Sequence, residues 1–164
     1  MQEIENVRKI DLGDEIIVLD PSRLAFNDAT LNKFMEELSI YYDYFSSKTA
    51  KAEEMLANIE LDKEQKHAEF FIKGKSEGFS DKTAEAYATT QQELKELGKA
   101  ENSLKSSVKQ LKEYVKALDK AHSMAQNRGY MIRKEMDKLN TDIYTSKNGN
   151  SYSNSEIEKI ISNM

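Results

Sequence analysis

Cysteine and tryptophan are absent from the 164 residues, proline occurs once, at Pro21, and glycine six times. Without cysteine there is no disulfide framework, no thiolate zinc site and no cysteine nucleophile, and the absence fits a reducing compartment. A single proline near the start leaves the rest of the chain free of the strongest helix breaker. No apolar run approaches the roughly 18 residues of a membrane-spanning helix. Met1 to Asp11 carries acidic residues and no apolar run, which excludes a signal peptide. The expectation is a soluble cytoplasmic protein with no membrane partner.

What is present is charge, 32% of residues against 38% hydrophobic, with a net of −5 spread unevenly. Residues 1–62 carry −8, residues 63–98 carry −1 and residues 99–164 carry +4. The chain is acidic in front and basic behind. A net acidic protein is a poor nonspecific duplex binder, yet a basic stripe can hold a polyanion locally.

The longest regular pattern runs from Leu94 to Leu139. Positions seven apart read Leu97, Leu104, Leu111, Leu118, Ala125, Ile132 and Leu139. A second set, offset by three, reads Leu94, Glu101, Val108, Val115, His122, Gly129 and Met136. This is an a/d heptad, and its 3.5-residue period asks for a partner helix in a left-handed supercoil. A helix of that length spans roughly 70 Å and needs another beside it.

Ahead of it, Glu15-Ile16-Ile17-Val18-Leu19 is the one plausible strand, ended by Asp20-Pro21. Asn27 and Asp28 offer N-caps for a helix whose apolar positions are Leu31, Met35, Leu38, Tyr42, Phe45, Ala52, Leu56 and Ile59, with Thr49 as the soft spot, ending near Lys73. Gly74 and Gly78 mark a helical-hairpin turn, and Ser80 or Asp81 caps a following helix that enters the heptads. The expected fold is all-α: an extended segment at 1–27, a helical hairpin with a coiled-coil C-terminal helix at 28–139, and a polar tail at 140–164. In that tail Ile157, Ile160 and Ile161 share one face of a short terminal helix. The long heptads make the chain homo-oligomeric, with Leu97, Leu104, Val108, Leu111, Val115, Leu118 and Ile132 as the interface.

Catalysis finds no support. His67 and His122 lie on different helices without a second ligand or a paired carboxylate at useful spacing, and no phosphate loop or nucleophile motif occurs. No enzyme, cofactor or metal is expected. His122, at an a position, reads as a polar register-setter.

Three basic groups remain. Lys105, Lys109, Lys112, Lys116 and Lys120 form one stripe along the heptad helix, in which like charges at i,i+4 repel. Such a stripe is either a solvated face or a surface that meets phosphates. Lys63, Lys66, His67, Lys73 and Lys75 surround Phe70 and Phe71 near the turn. Cations beside aromatic rings suit single-stranded nucleic acid, whereas the rings alone would close the hairpin core. Arg128-Gly129-Tyr130, followed by Arg133 and Lys134, puts glycine inside a helix at a cost of about 1 kcal/mol. That requires either a close helix approach or a kink that exposes the basic residues.

Asp20 with Arg23-Leu24, Glu54-Met55-Leu56, Ile59-Glu60, the turn with Phe79-Ser80, and Arg128-Gly129-Tyr130 followed by Ile132 together resemble the UvsY family of phage recombination mediators. The resemblance implies a non-enzymatic, ring-like homo-oligomer that binds single-stranded DNA in the host bacterial cytoplasm. It further implies that the protein helps a RecA-like recombinase displace single-strand-binding protein. It places DNA contacts toward the end of the first long helix, at Lys63, Lys66, Lys73 and Lys75, although Glu64 and Glu69 interrupt that basic run. A coiled-coil structural or adaptor protein without nucleic acid explains the heptads equally well, but leaves the lysine stripe and the helical Arg-Gly-Tyr unexplained.

Overall fold

The computed structural model describes residues 7–146. It is mostly helical, with elements β1 (Arg8–Asp11), β2 (Ile16–Leu19), a 3-10 turn (Pro21–Leu24), α1 (Leu31–Ser76), α2 (Asp81–Thr90) and α3 (Gln92–Ser146). The described residues fall into two compact units that divide between Ala121 and His122.

The single strand expected at residues 15–19 has a partner. β1 pairs antiparallel with β2, Ile10 opposite Ile17. β1 escapes a hydrophobic search because Arg-Lys-Ile-Asp holds one apolar side chain. Alternation puts Ile10, Ile17 and Leu19 in the core and Ile16 and Val18 outside. The loop turns at Gly13, whose φ of +94° suits glycine, and its N–H donates to Asp11 Oδ1 at 2.7 Å. Two strands are marginal alone. These are tied to α1 by Lys48 to Glu15 at 2.6 Å and by Lys51 to Asp14 and Glu15 at 2.5 and 2.9 Å. Just after β2, the Asp20 carbonyl accepts from the Tyr114 hydroxyl of α3 at 2.8 Å.

Entry to α1 uses Asn27, but not as the residue adjoining the helix. Asn27 Oδ1 accepts from the Thr30 N–H at 3.0 Å while Thr30 Oγ1 accepts from the Asn27 N–H at 2.9 Å. This reciprocal pair has the logic of a capping box, closing a turn that delivers the chain to Leu31. The buried face of α1 is Leu31, Phe34, Leu38, Phe45, Thr49 and Ala52. Tyr42, expected on it, is exposed, because the 3/4 spacing passes one position earlier. Thr49 is tolerated in the seam because its hydroxyl donates to the Phe45 carbonyl at 2.8 Å.

α1 runs beyond Lys73 and includes Gly74. The stop is Gly78, with φ +86°. Phe79 N–H donates to Gly74 O at 3.1 Å and Gly78 N–H to Lys75 O at 3.0 Å, which is the Schellman pattern. Gly74 serves close packing instead. A Cβ there would stand 3.2 Å from Ala84, so glycine allows α2 to lie close against α1. Ser80 caps α2, its Oγ accepting from the Thr83 N–H at 3.3 Å.

The expected continuous helix from Asp81 into the heptads is broken at Gln91, whose backbone is extended. Polar side chains occupy the carbonyls at the end of α2. Thr89 Oγ1 donates to Glu85 O, and Thr90 Oγ1 and Gln91 Nε2 both donate to Tyr87 O. Such bonds compete with helix continuation.

α3 passes the expected end at Leu139 and reaches Ser146. The expected terminal helix with Ile157, Ile160 and Ile161 lies outside the described residues. In the first unit α3 buries Leu94, Glu101, Leu104, Val108, Leu111 and Leu118, the heptad positions, together with Ser107, Tyr114 and Ala121 one row over. α1 and α3 are antiparallel neighbours there: Glu53 meets Lys112 at 2.5 Å and Glu60 meets Lys105 at 3.0 Å, each pair one heptad from the next in opposite directions. The Phe45 and Tyr114 rings touch, with centroids 4.6 Å apart.

Candidate nucleic-acid interface

Antiparallel pairing of α1 with α3 divides the lysine stripe. The two lysines that reach α1 meet carboxylates, Lys105 at Glu60 and Glu101 and Lys112 at Glu53. Lys109, Lys116 and Lys120 are exposed and make no ion pair among the described residues. Glu113, four positions after Lys109 and three before Lys116, is also exposed, borders a groove with Arg8, Pro21 and Tyr114, and is within ion-pair distance of none of the three lysines. The free cations therefore form a row of three on one helix.

Glu101 is the polar break in the heptad core. Its carboxylate accepts from Lys105 at 2.5 Å and from Lys63 of α1 at 2.7 Å. Those bonds, Lys105 first and Lys63 second, hold its pKa down to about 2. In return Glu101, then Glu60, raises the Lys105 pKa above the ordinary lysine value. The heptad series includes Glu101 among its apolar positions, and the sequence pattern does not reveal its partners. The signal was available in Glu60 and Lys63, which face the opposite charges Lys105 and Glu101 once the helices run antiparallel.

The turn cluster is differently placed. Lys63 is held by Glu101, Lys66 by Glu69 at 2.9 Å with Glu93 at 3.9 Å, and Lys75 by Asp81 at 2.6 Å. The bond that Lys66 donates to Glu69 raises the Lys66 pKa, and Lys75 lowers that of Asp81. His67 Nε2 lies 3.0 Å from Glu85 Oε1. Lys73 is exposed, and Phe70 and Phe71 are half-buried. Beside Lys66 a groove of about 550 Å³ is lined by Asp62, Glu69, Glu93 and Glu96. Across the helix pair a wider one, about 790 Å³, holds Glu60, Lys63, Glu64, His67 and Glu101. Carboxylates, not free cations, dominate the surroundings of this cluster.

No protein-family model, curated protein or solved structure matches this chain.

In the second unit the helix is uninterrupted at Gly129, so the break considered for Arg128-Gly129-Tyr130 is not there. The Gly129 carbonyl accepts from Arg133 Nε at 3.2 Å, Arg128 lies 3.5 Å from Glu135, and Lys134 sits over the Tyr130 ring at 4.7 Å. His122 Nε2 lies 3.0 Å from Gln126 Nε2. Tyr130, Met131 and Met136 are more than half exposed. Ile132 is half-buried, whereas Leu104, Val108, Leu111 and Leu118 of the expected subunit interface are buried within the single chain. Leu97 and Val115 are partly buried. Among the described residues no group of three His, Asp or Glu side chains is placed to hold a metal, and no helix is long and apolar enough to cross a membrane.

Proposed function

We propose that this chain is a non-enzymatic recombination mediator that binds single-stranded DNA as a homo-oligomer and assists a RecA-like recombinase against single-strand-binding protein. The observation that carries the reading is the row of exposed lysines Lys109, Lys116 and Lys120 on α3, beside Lys105 and Lys112, which are paired with carboxylates. Repulsion along such a row is relieved by a polyanion, and several copies on one strand add through effective concentration. The resemblance to UvsY-like mediators supplies the biological setting. The acidic residues of the first 62 positions suit contacts with basic partner surfaces.

The test is the onset of single-strand-dependent ATP hydrolysis by a RecA-like recombinase on DNA coated with single-strand-binding protein. A mediator shortens the lag in proportion to its concentration. An unchanged lag at saturating protein contradicts the reading.

The carboxylates around Lys63, Lys66 and Lys75 favour a second reading, a helical adaptor without nucleic acid. It predicts an intact oligomer with no affinity for DNA at low salt.

A further inference from the structure

We infer that the DNA strand follows α3 and not the turn, and that Glu53 of α1 limits the site by holding Lys112 out of it, as Glu101 and Glu60 together hold Lys105. This path rests on the single-strand binding proposed above. At 1.5 Å per residue, Lys109 to Lys116 spans about 10.5 Å and Lys116 to Lys120 about 6 Å, nearly parallel to the helix axis. A flexible single strand can lie straight along such a row, whereas the backbone of a duplex winds away from it. No aromatic side chain stands in that row of the first unit. Contact is therefore to phosphates, without regard to base.

The turn offers less. Lys63, Lys66 and Lys75 already donate to carboxylates, and Asp62, Glu69, Glu93 and Glu96 form a negative wall beside Lys66. A phosphate arriving there must displace an internal partner and meet like charge. On α3 Lys105 is held by Glu101 at 2.5 Å and by Glu60 at 3.0 Å, and Lys112 by Glu53 at 2.5 Å, whereas the exposed Glu113 is within ion-pair distance of none of Lys109, Lys116 and Lys120. Glu53 and Glu60 are exposed, and ion pairs of this kind bear little on stability. With Glu101, their consequence is a count: three phosphates neutralised per protomer instead of five.

For single strands the slope of log K against log salt is about −0.7 per phosphate, which gives about −2 for three lysines and about −2.8 for four. The experiment measures that slope by anisotropy of a labelled oligothymidylate with the full chain and three variants, each checked for helicity by circular dichroism. Lys109→Gln with Lys116→Gln and Lys120→Gln should remove salt-sensitive binding. Lys66→Gln with Lys73→Gln and Lys75→Gln should leave it within about twofold. Glu53→Gln with Glu60→Gln should free Lys112 while Glu101 keeps Lys105, tightening binding at low salt and steepening the slope toward about −2.8. Binding that survives the α3 variant and falls with the turn variant overturns the path while leaving single-strand binding intact. An unchanged slope in the Glu53 and Glu60 variant overturns the limiting role of Glu53. Absence of binding by the unaltered chain at low salt overturns both the path and the reading on which it rests.

Discussion

Lys63 on α1 donates to Glu101 on α3 at 2.7 Å, across 38 positions of sequence, and places a salt link inside the heptad seam. An acidic residue at an a position would otherwise leave a charge among leucines, so the pairing dictates which turn of α1 faces which turn of α3. The link supplies register together with stability.

The link makes stability depend on acid. Glu101 has a folded pKa of about 2, depressed below its ordinary 4.5 by Lys105 and Lys63. A depressed carboxylate contributes stability that is complete above its unfolded pKa and is lost as pH falls toward the folded value. Urea midpoints should therefore fall between about pH 5 and about pH 2, with Glu101→Gln lowering the midpoint at neutral pH and flattening its acid dependence. A Glu101→Gln profile parallel to that of the unaltered chain would remove Glu101 from this role.

Two glycines should respond in opposite directions. A side chain at Gly74 meets Ala84 at 3.2 Å, so Gly74→Leu overpacks the α1–α2 contact and should cost about 1–3 kcal/mol in thermal or urea unfolding. Gly98 has no atom within 4 Å of a new Cβ, so Gly98→Ala should gain about 0.5–1 kcal/mol from helix propensity alone. Equal effects at the two sites would contradict the close approach at Gly74.

Tyr114 ties α3 to the strand pair through its hydroxyl on the Asp20 carbonyl at 2.8 Å. Tyr114→Phe should cost about 0.5–1.5 kcal/mol and speed amide exchange in the β-hairpin. Burial raises the pKa of this phenol above its ordinary 10.0. Its contribution is thus complete below that value and declines as pH rises through the folded pKa, a decline that Tyr114→Phe should abolish.

The long pattern was the legible part of the fold. Heptads from Leu94 to Leu118 predict the seam that α3 buries, because apolar spacing is local information. What covers that seam is not local, and α1 fills much of it within one chain. β1 was hidden because its single buried side chain, Ile10, gives no alternation to read, and pairing with β2 depends on Gly13 closing the turn. The break at Gln91 comes from Thr and Gln side chains bonding to carbonyls, which composition reads as ordinary helix. At the candidate site, spacing alone grouped the five α3 lysines on one stripe but could not separate Lys105 and Lys112 from the others. That separation required knowing which α1 carboxylates stand opposite.

The most direct measurement is anisotropy of a labelled single-stranded oligonucleotide titrated with this protein at low and moderate salt, with duplex as competitor. The expected result is binding that prefers the single strand and weakens with salt, with a slope of about −2 per protomer. A folded, helical protein that leaves the oligonucleotide free at low salt would contradict it.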